Sequence, residues 1–124
     1  MIKRIFAVLI IFMIVGCQEK INSYKTIFDL TFHFKNKGFN VSDYKEIGSS
    51  FGESEAWELE INGQTVDILK YNTDVPSQAK ILRNIKWRGK MIDTDMTVVA
   101  NGSFVLWMRD LQNHKDIIDA FKDF

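Results

Sequence analysis

The sequence predicts an α+β domain, with an antiparallel sheet of four to five strands and three helices in the order αβ-ββα-ββα. Two Asn-Gly dipeptides, at 62–63 and 101–102, each lie between apolar runs, which is typical of tight hairpins. A stretch of helical periodicity follows each hairpin, and another opens the domain. Because hairpins join neighbouring strands, the sheet is expected to be antiparallel.

The first helix is predicted over 23–37, with Asn22 or Ser23 as its cap and Gly38 after its last turn. Its apolar arc consists of Ile21, Tyr24, Ile27, Phe28, Leu30, Thr31, Phe32 and Phe34. We expect this arc to cover a sheet, because a small domain needs the burial. A helix lying on a membrane surface is the alternative. A short strand is predicted to follow at 39–47.

The first hairpin is predicted to alternate between an apolar and an acidic face. Pairs expected from a type I′ turn are Ile61 with Gln64, Leu59 with Val66 and Trp57 with Ile68. On the other face Glu58 opposes Asp67, with Glu60 nearby, and opposed like charges are unfavourable. A site for a cation or a basic partner is one interpretation. We favour a solvated face toward the edge of the sheet, relieved by neighbouring lysines.

The second helix is predicted over 75–88, with Asp74 as its cap, Pro76 in its first turn and Gly89 at its end. Its inner face consists of Val75, Gln78, Ile81, Leu82 and Ile85. A second stripe, within about 120° of arc, consists of Lys80, Arg83, Lys86, Trp87 and Lys90. A tryptophan among cations suits lipid headgroups or an acidic protein patch, so this stripe is a candidate membrane or partner contact. An ordinary charged face, with Trp87 folded over the helix end, is the simpler interpretation.

The second hairpin is predicted around Asn101-Gly102, with strands at 96–100 and 103–108. A last helix is predicted at 114–124, with Asn113 as its cap and with Ile117, Ile118, Phe121 and Phe124 facing inward. One face carries Val99, Phe104, Leu106 and Met108, and the other carries Met96, Val98, Val105 and Trp107. Because both faces are apolar, this hairpin is a candidate for the centre of the sheet. At an offset of 39 residues Val66 falls on Val105, which suggests a hairpin–helix repeat.

The amino-terminal stretch MIKRIFAVLIIFMIVGC is typical of a secretory signal, with a basic head and an apolar core. The core is shorter than the about 20 apolar residues that a spanning helix needs. Its end, Ile14-Val15-Gly16-Cys17, resembles the lipobox of bacterial lipoproteins. The resemblance implies that a diacylglycerol is attached to the Cys17 thiol and that the chain is cut just before it. The expected organisation is a signal peptide at 1–16, a lipidated residue and tether at 17–22, and one domain at 23–124.

Composition and motifs bound the function further. The chain carries 16 basic and 16 acidic residues, which gives no reason to expect nucleic acid. No catalytic motif, cofactor loop or clustered metal ligands stand out in the sequence, and His33 and His114 are expected on the surface. We therefore expect a non-enzymatic, lipid-anchored protein on the outer side of a bacterial cell membrane or in the outer membrane. It would bind or position an envelope component; a small ligand-binding or inhibitor module using the second hairpin is the alternative.

Overall fold

The helices and strands occur in the predicted order. The computed structural model describes residues 21–48, 51–91 and 98–124. The helices are α1 (Ile27–Asn36), α2 (Pro76–Met91) and α3 (Lys115–Lys122), the last preceded by a 3₁₀ turn at Leu111–Asn113. The strands are β1 (Val41–Ile47), β2 (Glu55–Ile61), β3 (Gln64–Lys70), β4 (Val98–Asn101) and β5 (Phe104–Trp107). The α+β class, with three helices and a five-stranded antiparallel sheet, is confirmed.

The strand order is β1-β2-β3-β5-β4. The prediction that the second hairpin lies at the centre of the sheet is therefore wrong. β3 of the first hairpin is the middle strand, and β4 lies at an edge. The second hairpin is apolar on both faces because helices cover both faces of the sheet. On the first face α1 and α3 pack on Leu59, Val66 and Leu106. On the second face α2 packs on Leu69 and Val105 through Leu82.

The two hairpin turns differ. Asn62 and Gly63 both have positive φ, as a type I′ turn requires, and the predicted register of β2 with β3 is confirmed. In the second hairpin Asn101 pairs with Phe104, so the loop is Gly102-Ser103 and the predicted Asn101-Gly102 turn is wrong by one residue. The Asn101 side chain donates to the carbonyl oxygens of Phe121 (2.8 Å) and Lys122 (3.3 Å), an interaction between elements that local pattern does not encode.

The one-residue shift also removes the predicted residue equivalence between the two hairpins. At an offset of 39, Val66 would correspond to Val105, yet Val66 packs on the first face and Val105 on the second. Hairpin–helix does occur twice in the chain order. The helices that follow the hairpins nevertheless cover opposite faces, so the two units do not pack equivalently.

The first helix is shorter than predicted and buries only half of its predicted arc. Thr26, rather than Asn22 or Ser23, caps α1: its hydroxyl accepts from the Asp29 amide, and the Asp29 carboxylate accepts from the Thr26 amide. Buried positions of α1 are Ile27, Leu30, Thr31 and Phe34. Exposed positions of the predicted arc are Ile21, Tyr24, Phe28 and Phe32. The sheet contacts one side of the helix only, which leaves the rest of the arc uncovered.

The other two helices depart from prediction mainly at their ends. α2 continues past Gly89 to Met91, and Val75 lies before the helix, exposed rather than on its inner face. In α3, His114 occupies the cap position predicted for Asn113. Of the predicted inward residues, Ile117, Phe121 and Phe124 are buried and Ile118 is half-buried. Met96 of the predicted second hairpin lies outside the described residues.

Candidate functional site

The outer side of α2 carries the predicted cationic residues. Ile81, Leu82 and Ile85 pack on the second face of the sheet, on the side of α2 opposite to the cationic residues. Lys80 and Arg83 are exposed, Lys86 is half-buried, and Trp87 is 62 % exposed. We call these four residues the basic stripe; the side chain of Lys90 lies outside the described residues. The indole of Trp87 is largely open to solvent rather than folded over the helix end.

The cations of the basic stripe have no acidic partner among the described residues. Within the described part of the chain, Lys80, Arg83 and Lys86 form no ion pair; the ion pairs described there join Lys37 to Asp123 and Lys45 to Glu58. Surface cations attract acidic groups over a distance of about 10 Å at moderate salt. The stripe therefore offers three positive groups and one aromatic ring on a single rigid element.

The acidic face of the first hairpin is present, but one of its carboxylates is already paired. Glu58 lies opposite Asp67, as predicted, and the Lys45 ammonium on β1 is 3.3 Å from the Glu58 carboxylate. Asp67 neighbours Trp107 on β5, so this face lies within the sheet and not at its edge. In the described residues no three His, Cys, Asp or Glu side chains are arranged to hold a metal ion. The ion pair with Lys45 offsets the repulsion between Glu58 and Asp67, in line with the interpretation that we favoured.

Asp67 is expected to make stability depend on pH. Burial, and secondarily the Glu58 carboxylate, raises the pKa of Asp67 above its ordinary 3.8. The folded state then binds this proton more tightly than the unfolded state, so stability falls as pH rises above about 4. We expect Asp67→Asn to stabilise the protein by a few tenths of a kcal/mol at pH 7 and to lose this advantage below pH about 3.8.

Urea unfolding at pH 7 and pH 3 measures this difference. Asp110→Asn, which changes an exposed aspartate in the turn after β5 whose side chain makes no cap hydrogen bond, is the matched control and should leave the unfolding free energy unchanged at both pH values. If both substitutions had the same effect at pH 7, the buried carboxylate of Asp67 would not be the source of the pH dependence.

Sequence reasoning missed an aromatic cluster on the first face. The ring of Phe28 makes edge contacts with Tyr44 (5.6 Å between centroids) and Trp57 (6.2 Å). The indole nitrogen of Trp57 is buried and has no hydrogen-bond partner among the described residues, so ring packing holds this side chain. The cluster joins three separate elements, and the available signal was only the place of Phe28 on the predicted apolar arc.

A second feature not foreseen is a clamp at the start of the folded domain. Asn22, predicted as the end of the tether, is buried. Its amide donates to the Asn101 carbonyl oxygen (3.0 Å), and its side-chain oxygen accepts from the Ser103 amide (2.8 Å). Lys25 donates to the Phe124 carbonyl oxygen (2.7 Å). The chain therefore enters the domain at a fixed point, beside the second hairpin loop.

Both histidines are half-buried, and the second hairpin contributes side chains to the cores on both faces of the sheet. The His33 ring nitrogen lies 2.6 Å from the Ala120 carbonyl oxygen and joins α1 to α3, so this side chain is half-buried rather than fully solvated. His114 is half-buried at the start of α3. In β5, Phe104 and Val105 are buried on opposite faces, and Trp107 is exposed. The described part of the second hairpin thus offers little free apolar surface to a ligand.

Comparisons with known proteins add no assignment. No protein-family model matches the chain, and neither the curated proteins nor the solved structures contain a significant match. Across the described ranges, no helix has the length and apolarity needed to cross a membrane.

Proposed function

We propose that this protein is a lipid-anchored, extracytoplasmic envelope lipoprotein that binds or positions another envelope component near the membrane, without enzymatic activity. The observation that carries the partner-binding part is the basic stripe on α2, where three cations that pair with no described carboxylate lie beside an exposed tryptophan. The lipobox-like sequence ending at Cys17 supports the anchor. Two or more acyl chains hold a protein stably at a membrane, whereas one chain is marginal.

The clamp at Asn22 supports a position close to the bilayer. Asn22 is the fifth residue after Cys17, and the chain from one to the other spans at most about 17 Å when extended. Asn22 is hydrogen-bonded to the second hairpin. The tether can therefore gain further residues from the domain only if these buried hydrogen bonds break. A lipid on Cys17 would therefore hold the whole domain next to the membrane.

The layer arrangement favours an acidic protein patch over lipid headgroups as the partner of the basic stripe. The tether leads directly into α1, which covers the first face of the sheet. The basic stripe is on α2, which covers the second face. A bilayer close to the start of α1 is thus separated from the stripe by the sheet, and the stripe is presented to other envelope components.

Crosslinking in intact cells, followed by mass spectrometry, tests this proposal. The variant Arg83→Glu/Lys86→Glu reverses two charges of the stripe. Its matched control, Arg109→Glu/Lys115→Glu, makes the same change in net charge at exposed positions of the turn after β5 and of α3. We expect one dominant acidic envelope protein whose crosslinked yield falls about tenfold in the stripe variant and stays unchanged in the control. Equal loss in both variants, or no crosslinked protein from the wild type, would refute the partner-binding role.

A further inference from the structure

Apolar side chains are concentrated where the chain enters the domain. Within twelve residues, Ile21 is 74 %, Tyr24 75 %, Phe28 53 % and Phe32 67 % exposed. We call these four side chains the α1 surface. Grouped exposed apolar side chains in soluble proteins mark contacts with another protein, a ligand or a membrane. The α1 surface is therefore a candidate contact surface.

The position of the α1 surface favours a lipid bilayer as that occupant. We propose that the α1 surface rests in the interfacial region of the membrane, so that α1 lies along the bilayer and α2 lies on the far side of the sheet. This inference rests on the proposed lipid anchor. Ile21 and Tyr24 flank the clamped Asn22, and only four residues, at most about 14 Å of chain, lead from Cys17 to Ile21.

The chemistry of the α1 surface also suits an interface. Tyrosine and other aromatic rings favour the level of the headgroups, where their apolar bodies meet acyl chains and their polar groups meet water. Tyr44 and Trp57 hold the Phe28 ring by edge contacts, so this ring is presented rather than free to fold back. Lys35 is exposed three residues after Phe32, where its long side chain can reach lipid phosphates.

The Asp29 carboxylate, on the same helix, is engaged locally. It accepts hydrogen bonds from the Thr26 amide (2.7 Å) and hydroxyl (3.1 Å) in the capping box. One oxygen of this carboxylate is therefore hydrogen-bonded within the first turn of α1. Anchoring, charge and side-chain type together place the lipid on the α1 side and leave the basic stripe free for a protein partner.

A thiol-reactive probe distinguishes the two sides of the domain. Cys17 is the only cysteine, and acylation would block its thiol, so a new cysteine in the lipidated full chain takes the label alone. We would place it at Phe32→Cys or, as the matched control, at Asn84→Cys, an exposed position of α2. The proteins are reconstituted in phosphatidylethanolamine–phosphatidylglycerol vesicles with or without brominated acyl chains, and the fluorescence of a nitrobenzoxadiazole label is measured.

We expect brominated lipid to quench the Phe32→Cys label by about half and to leave the Asn84→Cys label unchanged. Unquenched labels at both sites, or equal quenching at both sites, would overturn the proposal. Quenching confined to a label at Phe51→Cys, at the loop end of the sheet, would also overturn it, because the domain would then stand end-on. Failure of the anchor itself is separately visible, since an unacylated wild-type protein would take the label at Cys17. Unchanged melting temperatures of the labelled variants confirm that they are folded.

Discussion

Replacing Gly102 with alanine is expected to destabilise the domain by about 3 kcal/mol, whereas the same replacement at Gly63 should cost about 1 kcal/mol. Both glycines lie in two-residue hairpin loops and have positive φ, 60° at Gly102 and 79° at Gly63. Backbone strain is therefore similar at the two sites. The difference between them comes from what a methyl group would meet.

At Gly63 an added Cβ lies in open space, with no atom within 4 Å. At Gly102 the added Cβ would overlap the Asn22 side chain, lying 2.6 Å from its Cγ. Asn22 would have to leave the clamp, and its hydrogen bonds to Asn101 and Ser103 would be lost in a buried setting. Each buried polar group left without a partner costs about 1–3 kcal/mol.

Chemical denaturation of the full chain measures both free energies of unfolding. A double-mutant cycle with Asn22→Ala isolates the contact, because the extra cost of Gly102→Ala should largely disappear once the asparagine is absent. Gly63→Ala should cost the same with or without Asn22. Similar destabilisation by the two alanine variants, or a cost at Gly102 that does not depend on Asn22, would contradict the clamp.

Cys17→Ser is expected to abolish acyl labelling of the protein and to leave the signal uncut or the protein released from the membrane. Serine has no thiol for the diacylglycerol that the lipobox resemblance implies. Two long acyl chains contribute roughly 20 kcal/mol of transfer free energy, at about 0.8 kcal/mol per CH₂, so no other contact of a small domain would replace them.

Metabolic labelling with a radioactive fatty acid, followed by separation of membrane and soluble fractions, measures this outcome. Gln18→Ser alters the neighbouring residue and keeps the thiol, so it serves as the control and should label normally. Persistent labelling of Cys17→Ser would refute lipidation at this residue. Loss of labelling in both variants would instead assign the effect to disturbed recognition of the signal.

Among the candidate sites, the basic stripe was predictable because all its members lie on one helix. Their relative positions follow from the 100° turn per residue, and packing of Leu82 on the sheet places them outward. The Asn22 clamp and the aromatic cluster of Phe28, Tyr44 and Trp57 each combine separate elements. No local pattern specifies which distant side chains meet, so neither was predicted.

The same division applies to the fold. The first hairpin and the order of elements follow from the chain, because the Asn62-Gly63 turn and the alternation of Leu59 and Ile61 specify neighbouring backbone conformations. Strand order, the side of α1 that is buried and the loop at Gly102-Ser103 depended on tertiary packing. The second loop shows the reason: Asn-Gly favours one turn locally, but the buried hydrogen bonds of Asn101 to the end of α3 and to Asn22 outweigh that local preference.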